Sequence, residues 1–151
     1  MKRFAAALSL LCTISTAHAQ DSGWRDASVA DVERGEDMRF RLDSPSLYLS
    51  AVGDFDGDGV QDIARLQVND ARRVHALLIT DGRGQHRLAE GRLSYLPRTG
   101  VALRERGSLS SAWEPAALFL RADGIDLIVF ESADVLYYAC DRGYCRYQIS
   151  D

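Results

Sequence analysis

Four aspartates fall within nine residues in the segment Asp54-Phe55-Asp56-Gly57-Asp58-Gly59-Val60-Gln61-Asp62, which spells D-x-D-x-D-G-x-x-D. Left alone, carboxylates at this spacing repel one another. A hard divalent cation removes the conflict, and calcium accepts about six to eight oxygens at roughly 2.3–2.6 Å. Asp54, Asp56 and Asp58 alternate along a loop that can wrap an ion, and Gly59 permits the sharp turn. The Val60 carbonyl and Asp62 then close the expected ligand set. An exposed acidic turn is the plainer alternative, since Asp and Gly are common turn residues. A bare turn, however, does not require four carboxylates in this register. Magnesium demands stricter octahedral geometry, so calcium is the expected ion.

The flanks of this loop constrain the fold. Residues 47–55 and 63–68 read as strands, the second alternating as Ile63, Ala64, Arg65, Leu66, Gln67, Val68. The first six loop positions match an EF-hand loop. The twelfth, where that motif needs a bidentate glutamate, is Arg65, and strands rather than helices flank the loop. The segment from Ala51 to Ala64 instead resembles the core of the FG-GAP and VCBS repeats. That resemblance implies calcium ligation by Asp54, Asp56, Asp58, the Val60 carbonyl and Asp62, and it covers about residues 47–80. Those families stack several copies into a propeller. A single copy here carries over the ion site and not the propeller.

Elsewhere the pattern is of short apolar runs broken by turn residues. Residues 28–36 predict a short N-terminal helix capped by Ser28 and stopped by Gly35. Strands are predicted at 38–42, 74–80, 87–95, 101–106, 116–121, 125–130, 135–139 and 146–149. With the two around the aspartate loop these are ten candidate segments, and they point to a mostly β chain of about nine short strands, an antiparallel sandwich or barrel. A hydrophobic share of 46% and a charged share of 26% exclude wholesale disorder.

Residues 1–19 read as a signal peptide. Lys2 and Arg3 precede an apolar run from Phe4 to Ile14, and Ala17-His18-Ala19 supplies small residues for cleavage. The run is too short to span a bilayer. Cleavage after Ala19 would leave residues 20–151 as one domain, periplasmic or secreted. Removing Lys2 and Arg3 from 18 basic residues leaves 16 against 22 acidic ones, a balance of −6. That balance argues against nucleic acid as a partner. No later run is apolar enough for a membrane span. In an oxidising compartment, Cys140 and Cys145 are expected to form a disulfide at the base of a hairpin with a four-residue loop. A metal site there lacks a neighbouring histidine, and the spacing is not Cys-x-x-Cys.

Signs of catalysis are sparse. His75 and His86 stand without an evident triad, and no G-x-S-x-G, H-E-x-x-H or phosphate-binding glycine loop occurs. Glu131 and Asp134 read as a solvated turn. The chain is therefore expected not to be an enzyme. Arg142 and Tyr144 at the clamped hairpin, and Tyr95 and Arg98 around Pro97, are the residue types enriched at binding hot spots. Adjacent Tyr137 and Tyr138 must point to opposite faces, while Trp24 and Trp113 read as core or lid residues. The whole layout, a signal peptide followed by one aspartate loop and a strand-rich tail, is similar to that of periplasmic immunity proteins of antibacterial type IV secretion systems. That likeness implies a protein partner, a cell-wall (peptidoglycan) hydrolase. The alternative is a calcium-stabilised structural or envelope-associated module.

Overall fold

The computed structural model describes residues 23–33, 44, 46–109 and 118–150. The expected signal peptide, the expected strand at 38–42 and Trp113 lie outside them. The described chain is mostly β and entirely antiparallel in its pairing. One sheet contains β2 (Ser50–Gly53), β3 (Asp62–Asn69), β4 (Val74–Asp81) and β5 (Gly84–Arg92), with the two-residue β1 (Arg25–Asp26) also on β3. The second contains β6 (Thr99–Arg104), β9 (Gly124–Val129), β10 (Ala133–Cys140) and β11 (Gly143–Ser150), in the order β11-β10-β9-β6. A small ribbon pairs β7 (Gly107–Leu109) with β8 (Leu118–Leu120). The two main sheets form a sandwich whose core joins Leu66, Leu77 and Ile79 of the first to Val101, Ile125 and Tyr137 of the second.

The period-2 pattern of β3 buries Ala64, Leu66 and Val68 and turns Ile63, Arg65 and Gln67 outward. The continuous apolar run of β4 is buried on both faces. Its Leu78 lies between Arg65 and Arg87 in the cross-strand register and is 6% exposed. A β-bulge interrupts the β4–β5 pairing between Leu77 and Leu78, so that Leu77 faces Ala89 and Leu78 faces Arg87.

Several expected boundaries shift. The expected helix at 28–36 is one turn, Val29–Val32 (α1), within the described residues, with buried Val32 as its anchor. The expected strand at 47–55 begins only at Ser50, because Tyr48 takes a left-handed φ of 64°. Residues 87–95 are not one strand: β5 stops at Arg92, and Leu93–Arg98 form a 3-10 helix containing Pro97. The hairpin loop between β10 and β11 is two residues, not four. Cys140 pairs with Gly143 and Tyr138 with Cys145, and Gly143 supplies φ 103° for the turn. Cys140 and Cys145 form the expected disulfide across this hairpin, with Cα atoms 5.8 Å apart.

Candidate metal centre

Antiparallel β2 and β3 end at Gly53 and begin at Asp62, which are paired, so residues 54–61 must form a closed loop between them. Gly57 and Gly59 take φ of 81° and 85°, the left-handed region that side chains disfavour. These two turns draw the aspartates together. One carboxylate oxygen each from Asp54, Asp56 and Asp58 lies within 4.8 Å of the others, an arrangement that can hold a metal ion. Backbone amides organise the cluster: Asp58 N donates to Asp56 Oδ1 (3.1 Å) and Val60 N donates to Asp58 Oδ1 (2.7 Å). Asp54 Oδ1 is buried and has no hydrogen-bond partner among the described residues. A buried oxygen in that state is costly unless a cation satisfies it. The oxygen chemistry of the three carboxylates suits a hard ion.

Asp62 and Val60 complete the expected set in different ways. Asp62 is almost fully buried, and its Oδ2 accepts from Phe55 N (2.8 Å) and Asp56 N (3.3 Å). It therefore knits the loop from below and stands outside the group of three carboxylates. Burial raises its pKa, against those amide bonds, and the nearby Asp56 and Asp81 charges add to the rise. The Val60 side chain is in solvent, so only its backbone can serve the loop.

Residues distant in sequence frame the site. Asp123 and Asp54 exchange backbone support: Asp54 N donates to Asp123 Oδ2 (3.1 Å) and Asp123 N donates to Asp54 O (3.0 Å). Arg83 lies 3.6 Å from Asp56 Oδ2, and Arg106 lies 3.9 Å from Asp54 Oδ2. Gly82 is packed against the loop, where a Cβ would fall 3.1 Å from Asp58 Oδ2. Beside it, Asp81 has no exposed side-chain surface and accepts from Tyr144 OH (2.8 Å), Arg83 N (2.8 Å) and His86 Nε2 (3.0 Å). Burial works to raise the Asp81 pKa, but these donors outweigh it and leave the carboxyl below its usual range. In the sequence, Asp81-Gly82-Arg83-Gly84 signals only a turn. Neither it nor Asp123 and Arg106 carries a local mark of its role.

The expected binding residues separate. Arg142 is exposed at the hairpin tip. Tyr144 is half-buried, packed on the core and tied to Asp81, with its ring 5.7 Å from those of His86 and from the Arg83 guanidinium. Tyr95 is 51% exposed on the 3-10 helix, and Arg98 reaches Glu131 at 3.0 Å. Glu131 is thus a turn residue, with φ 64°, engaged by that arginine. No family model, curated protein or solved structure matches this chain.

Proposed function

We propose that this chain is an exported, calcium-stabilised β-sandwich that acts by binding another protein, and specifically by inhibiting a peptidoglycan hydrolase in the periplasm. The observation that carries the calcium reading is the buried, unpartnered Oδ1 of Asp54 beside the Asp56 and Asp58 carboxylates. The Val60 carbonyl and Asp62 complete the proposed coordination. Export is supported by the basic, apolar and small-residue order of residues 1–19 and by the Cys140–Cys145 bridge. Among the described residues no helix is long and apolar enough to cross a membrane. The partner surface is assigned to the exposed Tyr95 and to Arg98 and Arg142.

A second reading, a calcium-stabilised structural or envelope-associated module without inhibitory activity, is favoured by the inward tie of Tyr144 to Asp81. Two measurements decide between them. Millimolar calcium should raise the melting temperature of the mature protein, and Asp58→Ala should remove most of that response. At a hundredfold excess over the dissociation constant the gain is about 2.7 kcal/mol. A melt indifferent to both calcium and chelator would overturn the ion site. Inhibition of a co-encoded hydrolase should weaken at least tenfold in Tyr95→Ala/Arg98→Ala or in Arg142→Ala. Full inhibition by both variants would move the surface elsewhere, and no inhibition by wild type would leave the structural module.

A further inference from the structure

The sandwich is not filled at the end of the strands opposite the aspartate loop. A cavity of about 300 Å³ opens there, walled by Leu77, Ala89, Leu127 and Val129, with His75 in one wall and Tyr95 at its edge. Its origin is local. Ala89 is the small residue that faces Leu77 at the β-bulge, and Gly91, which faces His75, contributes no side chain. Gly91 also seats the imidazole, because a Cβ there would fall 2.7 Å from His75 Cε1.

His75 is the feature that points to an occupant. It is 7% exposed, and its Nδ1 lies 2.9 Å from the Arg92 carbonyl, which places the ring proton on Nδ1. Nε2 is then a hydrogen-bond acceptor, and it makes no hydrogen bond within the protein among the described residues. That leaves an acceptor without a protein donor in the wall of a roomy apolar space, where a bound molecule can supply one. No lysine or arginine lines the cavity, and Glu90 does. A carboxylate ligand would therefore meet no counter-charge. An apolar cavity of about 150 Å³ is enough for benzene, so this one has room for a substituted ring.

We propose that this cavity is a binding site for a neutral, mainly apolar small molecule, an alkylphenol-like ring of about ten non-hydrogen atoms whose single hydroxyl donates to His75 Nε2. The site is separate from the aspartate loop and does not require it.

The test uses the full mature protein and three probes: 4-propylphenol, propylbenzene and 4-propylbenzoate. Methyl carbon–proton NMR should show saturable shifts of Leu77, Leu127 and Val129 with 4-propylphenol. Propylbenzene should bind up to about tenfold more weakly, the worth of one neutral hydrogen bond, and 4-propylbenzoate more weakly still. Ala89→Leu should abolish binding by filling the space, and His75→Phe should erase the preference for the phenol over propylbenzene. If His75→Phe fails to fold, Ala89→Leu and the three-probe series in wild type still decide. No saturable shift at the solubility limit, or shifts centred on methyls outside the cavity, would overturn the proposal. Equal affinity for the phenol and propylbenzene would overturn the role of His75.

Discussion

Tyr144→Phe is a one-atom probe of how the two sheets are held together. Tyr144 lies on β11 of the second sheet, and Asp81 ends β4 of the first. The phenol donates to Asp81 Oδ2 at 2.8 Å, and the Asp81 side chain is wholly buried. Burial raises the Tyr144 pKa and the Asp81 charge raises it further, so the hydroxyl keeps its proton, and its donor role, across the working pH range. Phenylalanine preserves the ring packing against His86 and Arg83 and deletes only the donor. A hydrogen bond to a charged acceptor contributes about 1.5–3 kcal/mol, and an ionised carboxylate left short of a partner cannot recover that from solvent. For a domain of this size each kcal/mol moves the melting temperature by roughly 3–5 °C, so a drop of about 5–15 °C is expected. Circular dichroism melts of wild type and variant at neutral pH measure it. Tyr95→Phe, at an exposed position, is the control and should melt with wild type. A Tyr144→Phe melt within about 1 °C of wild type would refute the tie. The result also governs how binding data are read, since Tyr144→Ala removes an internal strut as well as an exposed edge.

The other predictions concern cysteines and pH. Protein purified without reductant and then denatured should show no reactive thiol from Cys140 or Cys145; two reacting thiols would contradict the bridge. Cys140→Ser should lower stability by about 2 kcal/mol, because so short a ring restricts the unfolded chain only slightly. Burial depresses the pKa of His75 below its ordinary 6.5, against the opposing effects of the Arg92 carbonyl and Glu90. The unfolded state therefore takes up the proton first, so this contribution to stability is present above pH 6.5 and is lost as pH falls below it. Urea unfolding at pH 7.5 and 5.5 should show that loss, at most about 1.4 kcal/mol per pH unit. His75→Gln should flatten the slope between those two values, and an unchanged slope would assign it to other groups.

What could be read from the sequence was whatever a single segment determines by itself. Alternation in residues 63–68 marks β3, and the mainly apolar run in 74–80 marks β4. The D-x-D-x-D-G spacing marks a loop that gathers carboxylates, and the structure brings Asp54, Asp56 and Asp58 together. Properties that depend on pairing were not legible. The hairpin at 141–142 could hold two residues or four, and only the Cys140–Gly143 register decides between them. That register also turns Tyr144 inward, which the sequence cannot specify because a shift by one residue reverses every side chain. The strand expected to run to Tyr95 stops at Arg92 because Pro97 and its neighbours are accommodated in a 3-10 helix packed onto the core through Leu96.

The same dependence on pairing explains why the surroundings of the aspartate loop were invisible. Asp123 stands 69 residues from the amide it accepts, and Tyr144 stands 63 from Asp81. Both connections cross from the first sheet side to the second at the end of the sandwich that carries the aspartates. There the loop is fastened by Asp123, pressed by Gly82 and approached by Arg83, whose own backbone amide helps to hold Asp81. A cation drawing Asp54, Asp56 and Asp58 inward would tighten an end that is already cross-tied, so its effect on stability should reach both sheets. At the opposite end small residues at 89 and 91 face Leu77 and His75, and the layers part around a cavity. The two ends of one sandwich are thus built on opposed principles: polar cross-links around a charged loop at one, and an unfilled, mainly apolar space with His75 in its wall at the other.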